Sequence, residues 1–334
     1  MCAISTALST IRKSQLNQIS GSVSGALAVL PVHLRSAIQR LPEVLLNQLE
    51  EIRLRQGRPM MLGFHNQDCF LNHQGALTTN HEEGYLINED DINRTTQLVS
   101  NSSIYALEEE LKNGYITLPG GHRVGITGRV VSERGQVKTL KYLTGFNIRV
   151  SRQVLGAADK LIKHLISPKG NVYHTILVSP PRCGKTTMLR DIIRQLSNGI
   201  PSVNFAGTTV GVVDERSEIA GCYRGVPQHD IGIRTDVLDA CPKAAGMMML
   251  LRSMSPQIIA TDEIGRMEDV EALEELFNAG VKILTTVHGS TLEELNRRPA
   301  LQQLMKMQVI ERLVFLGRSN GVGTVEQVIE VKKC

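Results

Sequence analysis

One segment constrains this chain more than any other: Ser179-Pro-Pro-Arg-Cys-Gly-Lys-Thr-Thr187, preceded by the apolar run Thr175–Ser179 and followed by the amphipathic stretch Lys185–Leu196. Against the pattern G-x-x-x-x-G-K-[ST] it matches at Gly184, Lys185 and Thr186 and departs at the first position, where Ser179 stands for Gly. A strand, a tight loop and a helix in this order turn successive backbone N–H groups inward, and the helix start adds its dipole, so the loop suits an anion. The pattern predicts that Ser179, Pro180, Pro181, Arg182, Cys183, Gly184, Lys185, Thr186 and Thr187 cradle the phosphates of ATP. Lys185 then reaches the β- and γ-phosphates, and the Thr186 hydroxyl is placed on Mg²⁺. A small Ser can take the first position if its φ stays negative, and the two prolines stiffen the loop. The competing reading is a chance Gly-Lys-Thr before a helix. Cys183 is either a small residue facing the protein or a redox-sensitive thiol.

Two further apolar runs end in acids. Ile258-Ile-Ala-Thr-Asp-Glu263 places Asp262 and Glu263 at a strand end, which in a parallel sheet faces the same crevice as the phosphate loop. There Asp262 holds magnesium, directly or through water, and Glu263 polarises the attacking water. An acidic pair capping the next helix is the alternative. Gly211-Val-Val-Asp-Glu-Arg216 brings Asp214 and Glu215 to the crevice, where they either orient water or metal or form an ion pair with Arg216 or Arg234. Leu284-Thr-Thr-Val-His288 ends a further strand, and His288 is either a γ-phosphate contact or a structural histidine.

The surrounding pattern gives the fold class. Strands at 175–179, 211–214, 258–262 and 281–287 alternate with helices at 185–196, 240–254 and 268–279, the grammar of a parallel α/β sheet. The insertion of a strand between phosphate loop and acidic strand marks a RecA-like P-loop NTPase. Residues 309–316 and 324–331 are expected as edge strands. Before this, residues 1–25 read as a loose Ser/Gln/Ala-rich leader. Residues 26–150 read as a smaller α+β domain, with helices over 31–54 and 90–112, a cap at Asn101–Ser103, and strands within 53–77, 115–119 and 123–131. A helical stretch over 151–170 leads into the ATPase domain, 151–334.

Composition narrows the function classes. A net charge of +4 and an aromatic content of 4% with no Trp offer little for stacking nucleic-acid bases, so no nucleic-acid partner is expected. Six scattered cysteines without C-x-x-C spacing argue against structural zinc and disulfides and for a reducing cytosol. The longest apolar runs, such as Met247–Leu251, are far short of the roughly 20 residues that span a bilayer, and no signal peptide is read at the N-terminus.

The order phosphate loop, acidic strand, second acidic strand, His strand resembles the secretion ATPases of type II and type IV pilus systems. Their acidic box is matched by Asp214 and Glu215, their catalytic Glu by Glu263 and their His box by His288. Longer strings resemble the stage III sporulation protein AA family: Ser103-Ile-Tyr-Ala-Leu-Glu-Glu-Glu-Leu111, Leu118-Pro-Gly-Gly-His-Arg-Val-Gly125, the phosphate loop itself, Val213-Asp-Glu-Arg-Ser-Glu-Ile-Ala-Gly221, Gly232-Ile-Arg-Thr-Asp-Val-Leu-Asp-Ala-Cys-Pro-Lys243 and Met254-Ser-Pro-Gln-Ile-Ile259. That resemblance covers roughly residues 45–330. It implies a cytoplasmic ATPase of the mother cell, peripheral to the forespore membrane. Such an enzyme works with membrane-embedded components of a secretion-like channel, as a homo-oligomer expected to be hexameric. A pilus-type motor and a RecA-like nucleic-acid motor are the other readings.

Rings of this kind complete the site with an arginine from a neighbour. Arg149, in Phe146-Asn-Ile-Arg-Val150, resembles the interdomain arginine of the secretion ATPases. Arg252 and Arg234 are the alternatives, and each can instead be a carboxylate partner.

Overall fold

The computed structural model describes residues 23–64, 67–100 and 108–331. Most of the leader and the cap expected at Asn101–Ser103 lie outside the described residues. The chain forms two compact units that divide between Arg152 and Gln153.

The N-terminal unit begins with a helical turn at residues 23–28, whose Val23, Ala26 and Leu27 are buried. Helices α1 (Val32–Gln39) and α2 (Glu43–Leu46) follow, then strands β1 (Leu49–Arg55), β2 (Met61–Phe64), β3 (Gln67–Leu71) and β4 (Leu77–Thr78). Next come α3 (Glu89–Val99), α4 (Glu108–Asn113), β5 (Tyr115–Thr117), β6 (Arg123–Glu133) and β7 (Gln136–Arg149). The strands make one antiparallel sheet, ordered β4-β3-β2-β1-β7-β6-β5.

The helix expected to run to Leu54 stops at Leu46, and Leu49–Arg55 is a strand. An irregular register between Leu49 and Glu51 puts an odd residue into β1, so Leu49, Ile52 and Leu54 are all buried. A bulge of this kind spaces inward residues by three and imitates a helical period.

The C-terminal unit contains β8 (Thr175–Ser179), α5 (Lys185–Asn198), β9 (Val210–Asp214), β10 (Thr235–Asp239), α6 (Lys243–Ser253) and β11 (Ile258–Thr261). It continues with α7 (Met267–Asn278), β12 (Lys282–His288), α8 (Leu292–Asn296), α9 (Pro299–Lys306), β13 (Arg312–Gly317) and β14 (Thr324–Glu330). Its sheet is ordered β10-β9-β11-β12-β8-β13-β14, all parallel except β14, which runs antiparallel to β13. The α/β class with a parallel sheet is therefore observed. β13 is interior rather than an edge, and β10 is a strand the sequence pattern did not announce.

Alternation along each strand supplies two cores. Leu177, Val212, Ala260, Leu284 and Val314 face α5, where Leu189, Ile192 and Leu196 meet them. Val178, Val213, Ile259, Ile283 and Phe315 face α6, α7 and α9, meeting Met247, Leu250, Leu273 and Leu304. Burial on both faces explains why these strands read as unbroken apolar runs.

The stretch 153–170 is a series of turns with a short 3₁₀ turn at Ile162–His164, not a helix. Its early N–H groups are spent elsewhere: Gly156 and Ala158 donate to the buried Asp191 carboxylate on α5, at 3.2 and 2.8 Å.

Candidate functional site

The crevice lies at the C-terminal ends of β8, β12, β11 and β9, where the sheet order places four loops side by side. Ser179 ends β8 fully buried, with its hydroxyl donating to the Pro180 carbonyl at 2.9 Å. Left-handed backbone occurs at Arg182 (φ 60°) and Gly184 (φ 79°), but not at Ser179, which removes the need for Gly there. Gly184 itself is required twice over. It is left-handed, and a Cβ on it would stand 3.1 Å from Val322 Cγ1 and 3.3 Å from Gly323 Cα. Cys183 points into the protein, its thiol donating to the Pro181 carbonyl at 3.6 Å. Helix α5 then starts with no side-chain cap and no acid in its first turn, so its opening N–H groups face the crevice without competition.

Lys185 is 6% exposed and its ammonium is engaged by the strand ends. It donates to His288 Nδ1 at 3.1 Å and lies 3.7 Å from Glu263 Oε1. His288 Nε2 is 2.7 Å from the same Glu263 oxygen. The network assigns the tautomer: Nδ1 accepts from Lys185 and Nε2–H donates to Glu263. Glu263 Oε2 accepts from Arg216 at 2.9 Å. Burial alone pushes the Glu263 carboxyl up, but Lys185, His288 and Arg216 together outweigh it and hold the group below its ordinary value.

Asp262 is shared by two hydroxyls. Thr186 Oγ1 donates to Oδ2 at 2.7 Å, and Thr286 Oγ1 donates to Oδ1. Thr286 Oγ1 in turn accepts the Glu263 N–H at 2.9 Å, which fixes the bend after β11. Glu263 sits in that bend with φ 55°, a left-handed conformation an ordinary side chain rarely takes.

The turn after β9 is held from inside. Both Asp214 carboxylate oxygens are occupied by backbone N–H groups: Oδ1 accepts from Glu218 at 2.9 Å, and Oδ2 from Ile219 and Ala220 at 3.0 and 2.8 Å. Burial raises the Asp214 pKa to about 6 despite those three donors. From the other side the buried Arg190 of α5 donates to the Ile219 and Glu218 carbonyls at 2.5 and 2.6 Å, and burial lowers its pKa to about 10. Glu215 accepts from Lys243 at the start of α6. Of the two acids expected at the crevice, Asp214 therefore ties the turn and Glu215 pairs with Lys243, while the Arg216 considered as their partner reaches Glu263 instead.

The arginines considered for action from a neighbour lie away from this cluster within the C-terminal unit or belong to the other unit. Arg234 precedes β10, at the end of the parallel sheet away from the crevice, and donates to the Ser197 carbonyl at 2.7 Å, capping the end of α5. Arg252 is exposed in the last turn of α6. Arg149 ends β7 in the N-terminal unit, 3.6 Å from Glu51. Arg216, Thr286, Lys243 and Arg190 were not singled out from sequence as site residues. For Thr286 a signal existed: on a strand it shares a face with His288, two positions on.

Among the described residues no group of three or more His, Cys, Asp or Glu is placed to hold a metal, and no helix is long and apolar enough to cross a membrane. One hydroxyl and one carboxylate, Thr186 and Asp262, do fit Mg²⁺, which takes few protein oxygens and fills its shell with phosphate and water.

Comparison with known proteins agrees with this architecture. Stage III sporulation protein AA of Bacillus subtilis (strain 168) is 45% identical over 302 residues, covering 90% of this chain and 93% of that protein. The ATPase DotB of Yersinia pseudotuberculosis shares the fold with a TM-score of 0.54 at 14% identity, over 82% of this chain and 72% of that one. The pilus retraction motor PilT, solved with bound ADP, gives 0.50 at 16% identity, over 80% and 74%. The profile described as sporulation stage III, protein AA, matches residues 25–333, and the chain belongs to that family.

Proposed function

We propose that the chain hydrolyses ATP to ADP and phosphate. The observation that carries this is the convergence at the start of α5 of two bonded groups, Lys185 with His288 and Glu263, and Thr186 with Asp262, joined through the Thr286 hydroxyl. Lys185 holds the β- and γ-phosphates, and the opening N–H groups of α5 hold the remaining oxygens. Thr186 and Asp262 would hold Mg²⁺, which supplies charge neutralisation on the phosphates when bound. Glu263, kept ionised by its neighbours, accepts a proton from the attacking water. His288 bridges Lys185 and Glu263; when Lys185 turns to the γ-phosphate, Nδ1 is released and donates to that phosphate once it takes up a proton. The ADP in the fold relative PilT supports the nucleotide.

Membership of the sporulation family supports the wider reading: hydrolysis assembles or energises a secretion-like channel between mother cell and forespore. The enzyme works from the mother-cell cytoplasm as a ring, expected to be hexameric, with one arginine supplied by a neighbour. Lys185→Ala tests the core of this reading, because the lysine contacts phosphate in ground and transition states alike. Nucleotide affinity and turnover are expected to fall together, and unchanged hydrolysis by the variant would sink the assignment.

A further inference from the structure

A nucleotide held by its phosphates has a direction. Apart from Lys185 and Thr186 at the start of α5, the charged and hydroxyl groups assembled for the terminal phosphate stand on one side of β8, on the ends of β12 and β11: His288, Thr286, Asp262 and Glu263. The nucleoside end must leave the phosphate loop on the other side. There the neighbour of β8 is β13, and the connection from β13 to β14 covers the loop.

That connection is pressed onto the phosphate loop and internally fixed. Arg318 donates to the Arg182 carbonyl, and Val322 and Gly323 stand over Gly184. Ser319 donates through its N–H and its hydroxyl to the Glu326 carboxylate at 3.1 and 2.9 Å. A Cβ on Gly317 would collide with that carboxylate, so Gly317 makes room for the tie. The Gly321 N–H donates to the Arg318 carbonyl at 3.1 Å, and the Thr324 hydroxyl donates to the Gly321 carbonyl at 2.7 Å. Val322 is nonetheless 49% exposed, an apolar side chain at the tip of a rigid polar loop.

We propose that residues 318–323 form the nucleoside wall of the nucleotide site, with Val322 packing on the base or ribose and Arg318 holding the wall to the phosphate loop. Small-molecule sites commonly use such a preformed apolar surface beside a few polar anchors. The inference rests on the nucleotide reading above and adds which part of the ligand this loop meets.

The test separates the two ends of the ligand. Titration calorimetry of the full chain would compare magnesium ATP with magnesium tripolyphosphate, which has the phosphates without the nucleoside. Val322→Ser is expected to weaken ATP about tenfold, the size of losing one apolar contact, while tripolyphosphate changes by less than about twofold. Val322→Ile should retain both affinities, and Arg318→Ala should weaken ATP more than tripolyphosphate. An unchanged ratio of the two affinities in Val322→Ser and Arg318→Ala would overturn the wall while leaving the nucleotide reading intact. A wild-type chain that binds neither ligand would overturn both.

Discussion

Arg216 and Glu263 lie on turns that follow different strands, β9 and β11, and meet at 2.9 Å. The pairing makes the carboxylate proposed as general base the meeting point of three cationic or hydrogen-donating groups. It also ties that carboxylate to a turn that is itself fixed by Asp214 and Arg190.

Glu263→Gln should keep nucleotide binding and lose chemistry, because the amide is nearly isosteric but cannot take a proton. Turnover is expected to fall by about 10²–10⁴ while the dissociation constant for ATP stays within a few-fold. Equal collapse of binding and turnover would instead assign Glu263 to metal or structure.

Arg216→Ala should show in the pH profile. A base works when ionised, so the acid limb of the turnover profile follows the Glu263 carboxyl, which its cationic neighbours hold low. Removing Arg216 takes away one of them, and the limb should move to higher pH by up to about one unit. A limb that does not move would show that Arg216 does not act on Glu263 during turnover.

Asp214 predicts a stability effect of the opposite sign to that of most carboxylates. Its folded-state pKa is raised to about 6 by burial, so the folded chain binds this proton more tightly than the unfolded chain. The contribution is fully present below the unfolded value and is lost as pH rises through about 6, at most about 3 kcal/mol. Chemical unfolding of wild type and Asp214→Asn at about pH 4.5 and about pH 7.5 should show wild type losing ground to the variant at the higher pH. A constant difference would mean the carboxyl is not raised.

Assembly gives the fourth expectation. If an arginine acts from a neighbouring subunit, activity per subunit should rise with protein concentration. Mixing Glu263→Gln chains with chains lacking that arginine should then restore part of the hydrolysis, since one junction can unite an intact base with an intact arginine. Arg149→Ala comes first, then Arg252→Ala. Arg234→Ala comes last, because its guanidinium already caps α5. Flat activity on dilution, with no recovery in any mixture, would remove the ring from the proposal.

The parts of the fold that were legible in the sequence are those where one residue type does one job. Strands β8, β9, β11 and β12 are buried along their length, so their apolar runs announced them. β10 was missed because it forms the sheet edge, with each residue only half-buried and an aspartate near either end. β1 was misread because its irregular register spaces Leu49 and Ile52 by three. Among the proposed site residues, Lys185 and Thr186 are read from the phosphate-loop pattern at the start of α5, and Asp262, Glu263 and His288 from their positions at strand ends. Their partners were not: whether Arg216 meets Glu215, Asp214 or Glu263 depends on which turns the sheet order sets side by side, and no local pattern carries that.

The left-handed backbone at Glu263 sets stability against activity at one position. Glycine takes φ near 55° without the cost of order 1 kcal/mol that a side chain incurs there. A purely conformational criterion therefore favours losing the carboxylate, and selection for a sturdier fold would erode the residue proposed to activate water. On the proposed reading, the bend after β11 keeps its glutamate for the carboxylate and not for the backbone.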